Sequence, residues 1–87
     1  MLALTLAAQN VPAQTISVGT LTEARAKVRA FIGEGSIAAH EYGDACGRIE
    51  RDGTPYARVS FHGRLWALDE AGRETYRAMD DSGRVSP

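Results

Sequence analysis

The chain has 87 residues, which is enough for one hydrophobic core and too few for a second domain. Its ten basic and eleven acidic residues give a formal net charge of -1, and they are scattered along the sequence. This distribution excludes a basic nucleic-acid-binding tail and an acidic tail. The single cysteine, Cys46, excludes an intramolecular disulfide and favours a reducing compartment, so we expect a cytoplasmic protein.

The first eight residues are apolar and alternate in size. Leu2, Leu4 and Leu6 are separated by smaller residues, which is the period of a strand with one buried face. The stretch is too short to cross a bilayer and lacks the basic start of a signal peptide, so we interpret it as a strand and expect no membrane association. Residues 15–18 are β-branched or small, and they either pair back on this strand or lead directly into a helix.

A helix is predicted to begin at Leu21. Thr20 and Glu23 have the spacing of a capping box, in which each side chain accepts a hydrogen bond from the other residue's amide. Gly33 and Gly35 predict the end of the helix, and Ser36 is placed to cap one further helical turn in the linker that ends at Asp44. The apolar positions of the helix form one stripe: Leu21, Ala24, Val28, Phe31 and Ile32.

Two registers compete for the first hairpin after the helix. A two-residue turn at Asp52 and Gly53 would put Ile49 and Val59 on opposite faces of the sheet. A three-residue loop over residues 51–53 would instead put them on one face, together with Ala45, Ala57 and Phe61. We favour the three-residue loop because it gathers the apolar side chains.

The second connection, at His62 and Gly63, fits a two-residue turn. That turn would pair Val59 with Trp66 and would bury Trp66 and Leu68 beneath the helix. A further turn is predicted at residues 69–72, after which residues 73–76 return as a short strand or a final helical turn.

These elements define an α+β fold in which one amphipathic helix packs on an antiparallel sheet of about four to five strands joined by tight hairpins. The element order is β-(β)-α-β-β-β, where the second strand is the uncertain pairing of residues 15–18. We expect a single domain over residues 1–78, and disorder over the polar residues 79–87.

The predicted sheet face away from the helix carries the candidate binding residues. Tyr56 is expected to lie between Arg48 and Arg58, and an aromatic ring among guanidinium groups can bind a nucleic-acid strand or an acidic protein. The same face is predicted to include Ser60 and Leu65. The full set of candidate binding residues is Arg48, Glu50, Tyr56, Arg58, His62 and Arg64.

The residue types of catalytic and metal sites do not form a recognised pattern. His40, Glu41, Asp44 and Cys46 lie in one loop, but their spacing matches no zinc motif, and we interpret Cys46 as a small, partly buried strand residue. The glycines lack the Gly-Lys-Ser/Thr sequence of a phosphate loop and are better explained by turns. We therefore expect no catalytic residue, no metal site and no cofactor, and a chain that is not an enzyme.

The segment from Leu21 to Tyr76 resembles small uncharacterised proteins of bacterial chromosomes, prophages and plasmids. The residues that carry the resemblance are Gly47-Arg48-Ile49 and Val59 through Trp66. Nine of the ten basic residues are arginine, which agrees with a GC-rich bacterial or phage genome. The resemblance implies a protein that binds and blocks a host macromolecule, as anti-CRISPR proteins do, and it assigns no catalytic residue.

Three functions follow as hypotheses. The first is a protein-binding, inhibitor-like role, and the alternative is a nucleic-acid-binding accessory protein that uses the Arg and Tyr face. The third is a homo-oligomer in which a sheet edge, or the strand from Leu2 to Leu6, pairs across a two-fold axis.

Overall fold

The computed structural model describes residues 1–43 and 45–85, which form one helix packed on a six-stranded antiparallel sheet. The predicted α+β class is confirmed, and the sheet has one or two strands more than expected. The strands lie in the order β2-β1-β3-β4-β5-β6. Their bounds, with that of the helix, are β1 Leu2–Ala8, β2 Val11–Val18, α1 Leu21–Gly35, β3 Arg48–Arg51, β4 Thr54–Val59, β5 Leu65–Leu68 and β6 Glu74–Ala78.

The sequence left the structure of two segments open, residues 15–18 and residues 73–76, and both segments contribute to strands, β2 and β6. β2 pairs back on β1, with Ile16 opposite Leu4 and Thr15 opposite Thr5. β6 pairs with β5 in place of a final helical turn. These two strands account for the larger sheet.

The helix begins at Leu21 as predicted, and its cap differs in one partner. Thr20 Oγ1 accepts from the Glu23 amide at 3.0 Å, but the Glu23 carboxylate accepts from the amide of Gly19, not of Thr20, at 2.7 Å. The helix passes through Gly33 and ends at Gly35, the second of the two glycines predicted to end it. Ser36 caps the helix: it has a φ of 51°, and its amide donates to the Gly33 carbonyl oxygen.

The linker after α1 contains the expected helical turn, three residues later than Ser36. It is a 3₁₀ turn over Ala39–Glu41, and the Glu41 carboxylate accepts from the Ala38 amide at 2.9 Å. Ala45, predicted to be buried, is exposed, and Cys46 is fully buried in a turn before β3 and not in a strand.

The first hairpin register was predicted wrongly. Arg51 pairs with Thr54, so the connection is the two-residue turn at Asp52 and Gly53, which have φ values of 52° and 84°. A β-bulge then shifts the register, because Glu50 pairs with Pro55 whereas Ile49 pairs with Ala57. The extra residue, Tyr56, lets the apolar residues before and after the bulge share one face.

The second hairpin register was also predicted wrongly. Ser60 pairs with Arg64 around a three-residue loop, so Val59 lies opposite Leu65 and not opposite Trp66. Leu65 therefore faces the helix and is buried, whereas Trp66 is half-buried on the other face. The residues with the largest fully buried side chains are Leu4, Val28, Cys46, Ile49 and Val59, of which Val28 belongs to α1.

One five-residue turn occurs three times in the second half of the chain, at Ser60–Arg64, Asp69–Arg73 and Asp80–Arg84. In each, the glycine amide at the fourth position donates to the carbonyl of the first residue at 2.9 Å. The arginine amide at the fifth position donates to the first residue's side chain, at 3.2, 2.8 and 2.8 Å respectively. The shared sequence is Ser or Asp, two variable residues, then Gly-Arg, and the glycine φ of 82° to 88° explains its fourth position.

The third turn lies in the segment for which the sequence predicts disorder. Met79 is only 8% exposed, and it forms a β-bridge with Val85 on the far side of the turn. Arg25 of α1 donates to Asp81 at 2.7 Å and to the Gly63 carbonyl at 2.9 Å, so it joins the helix to the first and third turns. The domain thus extends to Val85, and residues 86 and 87 lie outside the described part of the chain.

The aspartates of the second and third turns lead us to expect that the folded protein loses stability in acid. The amide of Arg73 holds the pKa of Asp69 below its usual 3.8, and the Ser82 hydroxyl, together with the Arg84 amide, does the same for Asp80. A lowered pKa in the folded state contributes stability above the unfolded value, and that stability is lost as the pH falls through the folded pKa. We therefore expect the free energy of unfolding to fall below pH 3.8.

Urea denaturation at pH ~7 and pH ~2.5 measures this effect. The double variant Asp69→Asn and Asp80→Asn keeps an acceptor oxygen in each turn and should lose less stability between the two pH values. Asp52, whose pKa is lowered by the N-terminal amine, preserves part of the dependence in the variant. An equal loss in both proteins would contradict the assignment to these two turns.

Candidate binding surface

The sheet face away from α1, called the outer face below, holds half of the predicted binding residues. Arg48 pairs with Arg58, and Arg58 pairs with Trp66, and paired residues of antiparallel strands share a face. Glu50 lies two residues from Arg48 and so points to the same side. Arg48, Glu50 and Arg58 are therefore together, as expected, with Trp66 as the neighbouring aromatic residue.

Tyr56 is not on the outer face. It is the extra residue of the β-bulge, and its half-buried ring packs against the core cluster on the helix side. The Arg51 guanidinium lies 5.4 Å from the ring centroid. The bulge thus separates Tyr56 from Arg48 and Arg58, and the predicted arrangement of these three residues is wrong.

His62 and Arg64 lie at the turn between β4 and β5, and both are exposed. His62 meets Phe61 edge-on at 5.4 Å. With Arg25 and Arg29 of α1, His62 lines a notch of about 120 Å³ between the helix and this turn. These two predicted residues therefore lie apart from the outer-face arginines.

Arg58 is committed to the structure around it. Its guanidinium donates to the carbonyl oxygens of Cys46 at 3.2 Å and Gly43 at 2.9 Å, and to Glu74 at 3.0 Å. It also lies 5.5 Å from the ring centroid of Tyr42, and its side chain is only 15% exposed. Arg58 is therefore a structural arginine that joins the loop before β3 to β6.

Arg48, directly opposite Arg58 in the sheet, is held in a similar way. Its guanidinium donates to the carbonyl oxygen of Gly72 in the second turn. The two like charges lie on neighbouring strands, and each is stabilised by acceptors from the β5–β6 hairpin. These bonds hold the β5–β6 hairpin beside the two arginines, where its turn forms one wall of a cleft.

Tyr76 of β6 is the most conspicuous residue of this surface, and the sequence analysis did not select it. Its side chain is 79% exposed, and its φ is 59°, a left-handed conformation that is rare for a large side chain. Such a conformation costs about 1–3 kcal/mol, and residues that retain it cluster at functional sites. Nothing in the sequence alone signals a positive φ at a tyrosine within a strand.

These residues together enclose a cleft of about 450 Å³ on the outer face. Its lining has three arginines and one glutamate, so the cleft is cationic. The Arg73 side chain is 80% exposed, and among the described residues its guanidinium bonds only Asp69, in the same turn, at 3.0 Å, so its remaining donors are open to a ligand. The residues that line the cleft are Arg48, Arg58, Gly72, Arg73, Glu74 and Tyr76.

The loop before β3, which contains His40, Glu41 and Cys46, is held to the sheet by Tyr42. The Tyr42 hydroxyl donates to the Val59 carbonyl oxygen, and burial raises the pKa of Tyr42 far above its usual 10. Tyr42 is therefore a neutral donor that ties the loop to β4. Among the described residues, His, Cys, Asp and Glu side chains form no group of three suited to a metal, and Asp44 of the predicted cluster lies outside those residues.

The helical elements within residues 1–43 and 45–85 are α1 and the 3₁₀ turn, and neither has the length and apolar character that a membrane-spanning helix needs. The comparisons with known proteins give no relative: the chain matches no protein-family model, no curated protein and no solved structure.

Proposed function

We propose that this chain is a non-enzymatic binding domain whose outer-face cleft receives an acidic segment of a partner protein. The observation that carries the proposal is Tyr76, which is both highly exposed and held at a positive φ. A strained, exposed aromatic residue reduces stability without filling a core. Retaining it beside a cationic cleft is explained if the ring contacts a ligand.

The chemistry of the cleft favours a carboxylate-bearing ligand. Arg73 offers a planar fork of donors that matches a carboxylate, and Tyr76 offers a rigid aromatic surface for an adjoining apolar side chain. Glu74 is partly neutralised by Arg58 at 3.0 Å, which leaves the net charge of the lining positive. A short peptide with an acidic residue next to an apolar one fits this combination.

The charges of the cleft give less support to the nucleic-acid alternative. Two of its arginines, Arg48 and Arg58, already donate to carbonyl oxygens and to Glu74, so few guanidinium donors remain for a phosphate chain. Nucleic-acid binding draws its affinity from many phosphate contacts. We therefore retain this alternative only as an outcome of the test below.

The sequence resemblance extends the proposal to biological context. It supports a bacterial or mobile-element protein that inhibits a host system by occupying one of its proteins, in the manner of an anti-CRISPR. The resemblance alone carries this part.

Selection of peptides from a random display library, followed by calorimetry with one selected peptide, tests the cleft. We expect enrichment of acidic residues, and Tyr76→Gly should weaken binding by at least about tenfold. The same variant should be more stable than the wild type by about 1 kcal/mol, because glycine removes the cost of the positive φ. Loss of binding with a gain in stability separates a ligand contact from a folding defect.

The matched pair of controls uses two exposed arginines. Arg73→Ala should weaken peptide binding, whereas Arg29→Ala, on α1 and outside the cleft, should not. Peptide affinities unchanged in both Tyr76→Gly and Arg73→Ala would overturn the proposal. Tight binding of a single-stranded oligonucleotide that falls steeply with salt and requires Arg73 would favour the nucleic-acid alternative instead.

A further inference from the structure

The two edges of the sheet, β2 and β6, differ in their protection against pairing with another strand. β6 combines a positive φ at Tyr76, a register shift against β5, and the charged residues Glu74 and Arg77. Bulges, irregular backbone and charges are the devices by which natural sheets prevent edge-to-edge pairing. β6 is therefore a protected edge.

β2 has almost none of these devices. Its eight residues include no charged side chain, and the first charged side chain of the whole sequence is Glu23. Its pairing with β1 runs without a shift from Val18 to Gln14, so this part of the strand is regular. Pro12 lies at the other end, next to the hairpin turn, and among the described residues no strand pairs with the outer side of β2.

We propose that the outer edge of β2 pairs antiparallel with β2 of a second copy of this chain. When a strand pairs antiparallel with itself across a two-fold axis, the residue at the axis faces its own symmetry mate, so an uncharged residue there is suited to self-pairing. A register centred on Thr15 places Thr15 opposite Thr15 and Ala13 opposite Ser17, all exposed in the single chain. The formal net charge of -1 adds little repulsion between copies.

Sedimentation equilibrium tests this proposal on the full chain. The wild type should change from monomer to dimer mass with a Kd between about 1 µM and 1 mM, the range of a small interface. Thr15→Lys should be monomeric throughout, because it brings two ammonium groups together at the axis. Thr22→Lys, an equivalent change at an exposed position of α1, should dimerise like the wild type.

A charge-swap experiment guards against loss of folding in the variants. Thr15→Lys and Thr15→Glu should each be monomeric alone and should form a heterodimer when mixed. A monomeric wild type at about 1 mM, or a dimer that Thr15→Lys leaves intact, would overturn the proposal. Tyr76→Gly should leave the dimer unchanged, so the result is independent of the proposed function of the cleft.

Discussion

Replacement of Gly47 with alanine is expected to lower the free energy of unfolding by about 3–4 kcal/mol, the largest of the effects that we predict. Gly47 has a φ of 82°, and a Cβ there would overlap both the Val59 carbonyl oxygen and the Tyr42 hydroxyl. Two costs therefore add: the left-handed backbone and a collision in a packed interior.

The collision is costly because the atoms around Gly47 are already bonded. The Gly47 carbonyl accepts from the Val59 amide at 2.8 Å, and the Gly47 amide donates to the Thr5 carbonyl at 2.8 Å. The Tyr42 hydroxyl completes the arrangement by donating to the Val59 carbonyl. A methyl group at residue 47 must separate β3 from β4 or displace Tyr42, and each change leaves buried polar groups without partners.

Gly53 supplies the matched control. Its φ is 84°, nearly that of Gly47, but a Cβ there meets no atom within 4 Å. Gly53→Ala should therefore cost only the backbone term, about 1–2 kcal/mol. Urea denaturation of both variants measures the difference, and equal losses would show that the close approach at Gly47 does not exist in solution.

Arg58→Ala is expected to lower the free energy of unfolding by about 2–4 kcal/mol, the second largest of the effects that we predict. The guanidinium is the shared donor to the Gly43 and Cys46 carbonyls and to Glu74, and it covers the ring of Tyr42. Its removal leaves the loop before β3 without its link to β6. Arg58→Lys should remain at least about 1 kcal/mol less stable than the wild type, because an ammonium cannot satisfy acceptors placed for a planar fork.

Arg73→Ala is the control for this prediction. The Arg73 side chain is 80% exposed and, within the described part of the chain, pairs only with Asp69, four residues away, so its loss should cost no more than about 0.5 kcal/mol. Thermal unfolding followed by circular dichroism distinguishes the two arginines. Similar melting temperatures for Arg58→Ala and the wild type would contradict the structural role of Arg58.

Local patterns in the sequence predicted the elements well where one residue type has one strong preference. The alternation of Leu2, Leu4 and Leu6 identified β1, and Thr20 identified the start of α1. Gly35 identified the end of α1, although the helix continues through Gly33 and the left-handed cap residue is Ser36, which the sequence analysis assigned to a following turn.

The hairpin registers show where such patterns fail. The argument that apolar residues must share a face was sound, but two structures satisfy it: a three-residue loop, or a two-residue turn followed by a bulge. The protein uses the second at Asp52 and Gly53, and the bulge residue Tyr56 packs against the core cluster that includes Leu21 of α1 and lies beside Gly83 of the third turn. No local signal contains those contacts.

The three repeated turns share a sequence pattern from which they can be predicted. Ser60, Asp69 and Asp80 each precede a Gly-Arg pair by the same spacing, and each caps its turn in the same way. This recurrence indicates the three-residue loop between β4 and β5, and it indicates an ordered turn at Asp80–Arg84.

By itself, the sequence determined the α+β class, the positions of most strands and helix α1, and the absence of a recognised catalytic motif. Hydrophobic periodicity, helix caps and turn residues act within a few positions of the sequence, so they can be recognised without knowledge of the tertiary contacts. Only the tertiary structure decided that Arg48 and Arg58 are anchored, that Tyr56 leaves the outer face, and that Tyr76 stands exposed beside the cleft. These features depend on side chains that meet across strands distant in sequence, where the register of each hairpin sets which groups are in reach.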